Sequence, residues 1–234
     1  MPAEGRRSVD LNADLGEEVT DDEGLLSVVT SANVACGFHA GTPEIMRQVC
    51  AGAARRGVVV GAQVSYRDRE NFGRVAHDVA PDILSDQVAE QIGVLSAIAD
   101  SEGTRVRYVK PHGALYHRVT DDEEQADAVL AGSGGLAVLG FPGSRLLDLA
   151  AAAGRATYDE GFPDRGYVEG RLIDRGLPGA LLEDSDAIAD QAVRLATDVA
   201  SLCVHGDSPD AVAHAYAVRQ ALQVARYTVV AFVD

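Results

Sequence analysis

The sequence predicts an α/β barrel, a parallel sheet closed on itself with helices outside. Three observations predict it. Strand-like and helix-like segments alternate along the whole chain, about seven or eight βα units with no tandem repeat, and such alternation requires parallel strands joined by outer helices. Polar motifs follow nearly every strand candidate. In a barrel all those strand ends surround one mouth, whereas an open sheet gathers only those beside its switch point. Finally, no GxGxxG or P-loop pattern occurs, which counts against an open nucleotide-binding sheet.

The elements follow in order. Residues 8–11 read as a first strand, 22–30 as a short helix and 31–35 as a second strand. Thr42 N-caps the next helix with Pro43 at its first position, and Gly57 ends it after Arg56. Val58, Val59 and Val60 form a β-branched run, the pattern of a strand buried on both faces. Residues 82–102 predict a long amphipathic helix, 106–109 a strand, 121–130 a helix and 136–139 a strand. A helix over 144–153 ends at Gly154, and 156–159 is a shorter strand. Residues 160–178, rich in glycine and charge, lack periodicity and read as a lid or surface turn. Residues 185–200 are helical and 201–204 a strand. Ser208-Pro209 repeats the Thr42-Pro43 cap for a helix reaching Ala225, and 227–233 is a last strand. No linker interrupts this series, so residues 1–234 are expected to form one domain.

Composition narrows the function classes. With 36 acidic against 20 basic residues the net charge is −16, which repels nucleic acid and anionic membrane. An anionic ligand would then need a local cationic patch, for which Lys110, Arg165 and Arg171 are candidates. Cys36, Cys50 and Cys203, an odd and sparse set, point to free thiols in a reducing compartment. The N-terminal stretch has no apolar region behind its charges, and no apolar run reaches membrane-spanning length, so a cytoplasmic protein is expected.

Three strand candidates end in a histidine followed closely by glycine: Cys36-Gly37-Phe38-His39-Ala40-Gly41, Val109-Lys110-Pro111-His112-Gly113 and Cys203-Val204-His205-Gly206-Asp207. Glycine there permits a sharp turn or a close ligand. One such histidine would read as a core residue bonded to a carbonyl; three at equivalent strand ends favour a shared pocket. Asn12 and Asp14, two apart on the first strand, point the same way, as ligand contacts or as a turn. Gln63 follows the third strand, as a donor to a ligand carbonyl or as a loop bridge. Lys110 suits phosphate or carboxylate, the alternative being a buried pair with a carboxylate such as Asp14. His112 suits acid–base work. Glu160, Asp164 and Arg165 cluster in the irregular stretch, and His205 has Asp207 close by as an orienting carboxylate. His77, His117 and His214 read as peripheral. Neither HExxH nor CxxC nor GxSxG occurs.

Six segments in fixed order carry a resemblance. They are DLNADLGE from Asp10, SANVACGFHAG from Ser31, RENFGR from Arg69, KPHGALY from Lys110, the stretch 162–167, and CVHGD from Cys203. On these the chain resembles the LamB/YcsF family, which supplies the A subunit of prokaryotic 5-oxoprolinase. The resemblance implies a distorted seven-stranded β/α barrel of the glycoside hydrolase/deacetylase type. It also implies ATP-dependent opening of 5-oxo-L-proline to L-glutamate together with subunits B and C, with ATP taken together with Mg2+. Under it, Asp14, His39, Lys110, His112, His205 and Asp207 are the catalytic candidates: Lys110 as a clamp on phosphoryl oxygens, a histidine to activate water. Asn12, Gln63, Glu160, Asp164 and Arg165 are the substrate-binding candidates, Arg165 toward the substrate carboxylate. Many members carry histidine where this chain has Gln63, so no tightly bound protein metal is expected. Arg67 stands where proline is usual and Thr42 where aspartate is frequent. Two other readings stay open: a metal-dependent, deacetylase-like amidohydrolase acting on carbohydrate, and a non-catalytic substrate-binding subunit.

Overall fold

The computed structural model describes residues 7–19, 21–208 and 210–234. The Pro209 half of the expected cap, and most of the charged N-terminal stretch, lie outside them. Seven parallel strands close a barrel: β1 (Ser8–Leu15), β2 (Ser31–Ala35), β3 (Val59–Val64), β4 (Val106–Pro111), β5 (Ala137–Gly140), β6 (Thr157–Gly161) and, after a two-stranded hairpin β7 (Tyr167–Val168) and β8 (Arg171–Leu172), β9 (Ser201–Val204). β9 closes the ring on β1, pairing Ser201 with Asp10 and Cys203 with Asn12. The short β10 (Thr228–Val229) adds to the start of β1 outside the ring. Among the described residues eight helices connect these strands: α1 (Asp22–Leu26), α2 (Pro43–Arg56), α3 (Pro81–Ser101), α4 (Gly113–Asp121), α5 (Glu123–Gly132), α6 (Arg145–Ala152), α7 (Ser185–Leu195) and α8 (Ala211–Val224).

The expected distorted seven-stranded barrel is present, with differences at element ends. α1 stops at Leu26 because Thr30 is drawn into the barrel, its hydroxyl donating to Asp10 Oδ1 at 2.6 Å. The predicted helix over 121–130 begins at Glu123 instead, with Asp122 accepting from the Gln125 amide. α4 has no counterpart in the sequence reading. It starts on Gly113 without a side-chain cap and buries Leu115, Tyr116 and Val119. α7 ends at Leu195, five residues short of the expected end. α8 begins at Ala211, and the Ser208 hydroxyl accepts from Asp210 N. The last strand has only two paired residues. Beyond it, Phe232 packs on Tyr108 and Tyr158, with ring centroids 4.9 and 4.6 Å apart, at the end of the barrel opposite the histidines.

The two faces of the strands differ in chemistry. Outward residues such as Leu11, Ala13, Leu15, Val34, Val64 and Val109 join the helices in one continuous apolar core, each large aliphatic side chain stabilising by about 1.5–3 kcal/mol on full burial. Inward residues of β1 and its neighbours are polar, while Val59, Tyr108, Ala137 and Leu139 form a small apolar cluster with Tyr158 and Phe232. Asp10 accepts from Ser31 at 2.7 Å and from Ser201. Asn12 donates to Ser201 at 2.6 Å, and Asn33 donates to Asn12 at 2.6 Å and to Asp14 at 2.9 Å. The Tyr108 hydroxyl donates to Asn33 at 2.6 Å. An unpaired buried polar group costs about 1–3 kcal/mol, so this interior is tenable only because its members partner one another. Burial pushes the Asp10 carboxyl up to about 6 in spite of those bonds.

Candidate active site

The polar ladder rises through the barrel to Lys110. Its ammonium lies 3.2 Å from Asp14 Oδ1, 3.0 Å from Glu160 Oε2 and 3.1 Å from the Cys203 sulfur. Burial opposes the charge, but Asp14, Cys203 and Glu160 outweigh it and hold the lysine well above its ordinary value. Burial also opposes ionisation of Asp14, and Lys110, His205 and His112 override it, so this carboxyl is depressed. Glu160 goes the other way, burial raising it despite the lysine. The Phe162 ring lies 5.4 Å from the ammonium.

One histidine centre stands on the β1–β4 side. The His39 and His112 rings stack 3.9 Å apart. The Ser65 hydroxyl donates to the Tyr66 carbonyl at 3.0 Å, so toward His39 Nδ1, 2.9 Å away, it accepts. His39 Nδ1 is therefore the donor to Ser65, and its Nε2 is buried without a hydrogen-bond partner, 3.6 Å from Glu17 Oε1. His112 Nε2 donates to the Phe72 carbonyl at 3.1 Å, and its Nδ1 accepts from the Gln63 amide at 2.9 Å. The same amide donates to Glu17 at 3.1 Å. Burial and the neighbouring His39 push His112 well below its ordinary value, and burial raises Glu17. The site depends on close backbone approach. Gly113, at φ 58°, lets the Ala114 amide donate to Gly73 O at 2.8 Å, and a Cβ on Gly113 would lie 2.3 Å from that oxygen.

The second centre lies on the β6–β9 side. Asp164 accepts from both the backbone amide and Nδ1 of His205, each at 2.9 Å. Burial opposes the imidazolium, but Asp164 prevails and raises His205; the histidine in turn helps hold Asp164 low. The carboxylate that orients His205 is thus Asp164, 41 residues earlier, rather than Asp207 two residues on. Asp207 instead binds Arg175 and Arg74.

Between the two centres opens a cavity of about 670 Å³. Of the residues singled out from the sequence, Asp14, Lys110, His112, Arg165, His205 and Asp207 line it. Glu160, Gln63, His39 and Asp164 stand behind these and contact them. Asn12 is one layer deeper, fully buried between Ser201 and Asn33. Arg165 is itself buried and donates to the Ala180 and Ile173 carbonyls at 3.0 and 2.7 Å, pinning the hairpin segment. Glu17, Arg74 and Arg175 also line the cavity and were not singled out. Glu17 and Arg74 lie within the DLNADLGE and RENFGR motifs; Arg175 carries no local signal.

Among the described residues, Glu17, His39 and His112 are the group placed to hold a metal, with ligand atoms within 4.8 Å of one another. Glu17 and His112 accept from the Gln63 amide, and His39 Nε2 is left without a partner.

Comparison with known proteins agrees with the architecture. The LamB/YcsF family description matches residues 9–234. The 5-oxoprolinase A subunit of Streptomyces avermitilis is 53% identical, covering 96% of this chain and 99% of that protein. Its counterpart from Mycobacterium avium is 49% identical, with 96% and 98% covered. Among solved structures, a lactam utilization protein from Thermus thermophilus superposes with a TM-score of 0.89 at 35% identity, covering 96% of this chain and 99% of that one. A mutant CE4 family pseudoenzyme superposes at 0.53 with 14% identity, covering 96% and 65%, a likeness of fold alone. No helix among the described residues is long and apolar enough to cross a membrane.

Proposed function

The chain belongs to the LamB/YcsF family, and from that premise we propose that it opens the lactam ring of 5-oxo-L-proline to L-glutamate as the A subunit of an ATP-dependent, cytoplasmic 5-oxoprolinase, together with partner subunits B and C. The relatives named for this activity support the reading over nearly the full length. The observation that carries it within the molecule is Lys110, held between two histidine–carboxylate centres at one cavity. Ring opening consumes water, breaks the C–N bond and leaves the ring nitrogen needing a proton. It therefore needs one group to take a proton and one to give it. A neutral imidazole beside Glu17 and a protonated one on Asp164 supply such a pair. His112 Nδ1 accepts only where the Gln63 amide yields; His39 Nε2 has no hydrogen-bond partner to displace.

ATP supplies activation of the ring carbonyl oxygen, making a poor electrophile a good one. The donor set fits an anionic phosphoryl group, since Lys110, Arg74 and Arg175 all line the cavity. Asp14 and Glu17 are the carboxylates that would face its Mg2+. The test is reconstitution: this chain alone is expected to release little glutamate from 5-oxo-L-proline and ATP, and adding subunits B and C to restore turnover. Robust ATP-coupled release by the chain alone would defeat the partner requirement. The Glu17–His39–His112 cluster favours one second reading, a metal-dependent amidohydrolase acting on carbohydrate. Elemental analysis of chelator-free protein separates the two. Substoichiometric zinc is expected; one tightly held ion per chain, lost together with activity, would favour the second reading.

A further inference from the structure

Asp207 is held by two arginines from different loops. Arg175 Nη2, in the turn after β8, donates to its two oxygens at 2.8 and 2.7 Å. Arg74 Nη2, in the loop after β3, donates to Oδ2 at 2.7 Å. The pairs Arg67–Glu90, Arg69–Glu18 and Arg145–Glu123 are one to one, and Arg47 and Arg118 each meet two acids. Here two guanidiniums share one carboxylate, a local surplus of positive charge in a chain of net charge −16. Each guanidinium spends a single nitrogen on Asp207. The Nε and Nη1 groups of both have no hydrogen-bond partner among the described residues. A guanidinium offers five donors in a fixed fork that matches a carboxylate or phosphate, so most of this donor set is unspent. Both arginines line the cavity that Lys110, His112 and His205 also line. Arg74 is steadied by the Phe72 ring, 4.8 Å from its guanidinium carbon. Arg165, the arginine that sequence motifs bring forward, is tied to backbone carbonyls instead.

We infer that Arg74 and Arg175 form the anion-recognition element of this mouth, and that Asp207 is a resident carboxylate that aligns them and competes with the ligand's carboxylate or phosphoryl group for their donors. The inference rests on the lactam reading only for the class of ligand, a cyclic amide bearing a carboxylate. It gives the strongly acidic chain a cationic patch formed across three loops, and it explains why one acid serves two arginines. Burial opposes ionisation of Asp207, and Arg175, His205 and Arg74 outweigh it, so the competitor is present as an anion at neutral pH.

Titration calorimetry on the full chain at low salt tests this with three probes: 5-oxo-L-proline, 2-pyrrolidinone (the same ring without the carboxylate) and inorganic phosphate. 5-Oxo-L-proline is expected to bind, and 2-pyrrolidinone to bind at least about tenfold more weakly. Arg74→Met and Arg175→Met should each weaken 5-oxo-L-proline about tenfold or more, the scale of one charge-assisted hydrogen bond. Arg175→Lys should recover part of that loss, and Asp207→Asn should tighten binding. Melting curves on each variant keep folding separate from binding. Binding of both 5-oxo-L-proline and phosphate that is equal in wild type and both Met variants overturns the cradle while leaving the lactam reading intact. Phosphate binding that is lost in the Met variants, with 5-oxo-L-proline indifferent to them, keeps the cradle and assigns it to a phosphoryl group. No binding of either anion to the wild type overturns it outright. Weaker binding by Asp207→Asn overturns the role of Asp207 as competitor.

Discussion

His112 and His205 stand on opposite walls of one cavity, both with little exposure, and burial drives both toward the neutral form. They nevertheless diverge. His112 accepts from an amide and stacks on a second imidazole; the Phe72 carbonyl and Asp14 favour its charge, but burial and His39 prevail and the ring is held neutral. His205 faces Asp164 at 2.9 Å, and that carboxylate reverses the outcome. Burial thus decides at His112 and a directly bonded carboxylate decides at His205, and two groups pushed apart in this way divide naturally into a proton acceptor and a proton donor.

The largest break in that comparison comes from the group between the two walls. Lys110→Met leaves Asp14 and Glu160 buried without their counter-ion, and removing one partner of a buried pair costs about 3–5 kcal/mol. A clearly lowered melting temperature is expected. Turnover of the reconstituted enzyme, measured where the variant is still folded, should fall by about a hundredfold or more, the scale of one lost preorganised donor. A variant with wild-type melting temperature and near-normal turnover would mean that Lys110 is neither a structural counter-ion nor a clamp. Asp164→Asn comes next. It should lower the His205 pKa, read from the histidine ring signals by NMR, leave His112 where it is, and cost about a hundredfold in turnover. Movement of both histidines together would show that the two walls are not independent.

Much of the fold is legible in the sequence because its signals are local. Thr42-Pro43 and Gly57 bracket α2 as expected, the Thr42 hydroxyl accepting from Ile45 N and Gly57 taking φ 68°. The first strand shows where local reading stops. Asn12 and Asp14 resemble a turn, yet β1 continues to Leu15, because its alternate polar residues face a polar barrel interior. Polar alternation normally signals a solvent face, and only the partners Ser31, Asn33, Tyr108 and Ser201 make it an interior one. α4 is invisible for a different reason: it opens on a glycine and has no side-chain cap. The site was legible as residue types at strand ends. Its pairings were not, since His205–Asp164 spans 41 residues, Arg74–Asp207 133 and Gln63–His112 49. Nothing local distinguishes Asp164 from Asp207 as the partner of His205.

A smaller effect sharpens the His112 side. Gln63→Leu keeps approximate bulk and removes the donors to His112 Nδ1 and Glu17 Oε1. Leaving buried acceptors unpaired costs about 1–3 kcal/mol, so denaturant titration should show a loss in that range. His205 should titrate as in the wild type. Restored stability on adding zinc would show that a cation can take the place of the amide. No loss of stability would mean that these hydrogen bonds are not formed in solution.

The smallest effect is the pH dependence of stability, where the two histidines have opposite signs. His205 is raised on folding, so its contribution is fully present below the unfolded value of about 6.5 and is lost as pH rises through its folded value. Asp164 is lowered on folding. Its contribution is present above about 3.8 and is lost as pH falls through its own folded value. The pair therefore stabilises most between those two unfolded values. His112, held neutral, acts in the other direction: the unfolded chain binds its proton more readily, so stability falls as pH drops below about 6.5. In the wild type the two imidazoles act on opposite sides of about 6.5, His112 below it and His205 above it. Asp164→Asn removes one member, so the gap in melting temperature between wild type and variant should be widest near pH 5–6 and shrink steadily toward pH 9. At this chain length 1 kcal/mol moves the melting temperature by about 2–4 °C, within reach of calorimetry. A gap that widens as pH rises would mean that His205 is not held protonated by Asp164, and the division of labour between the two walls would fall with it.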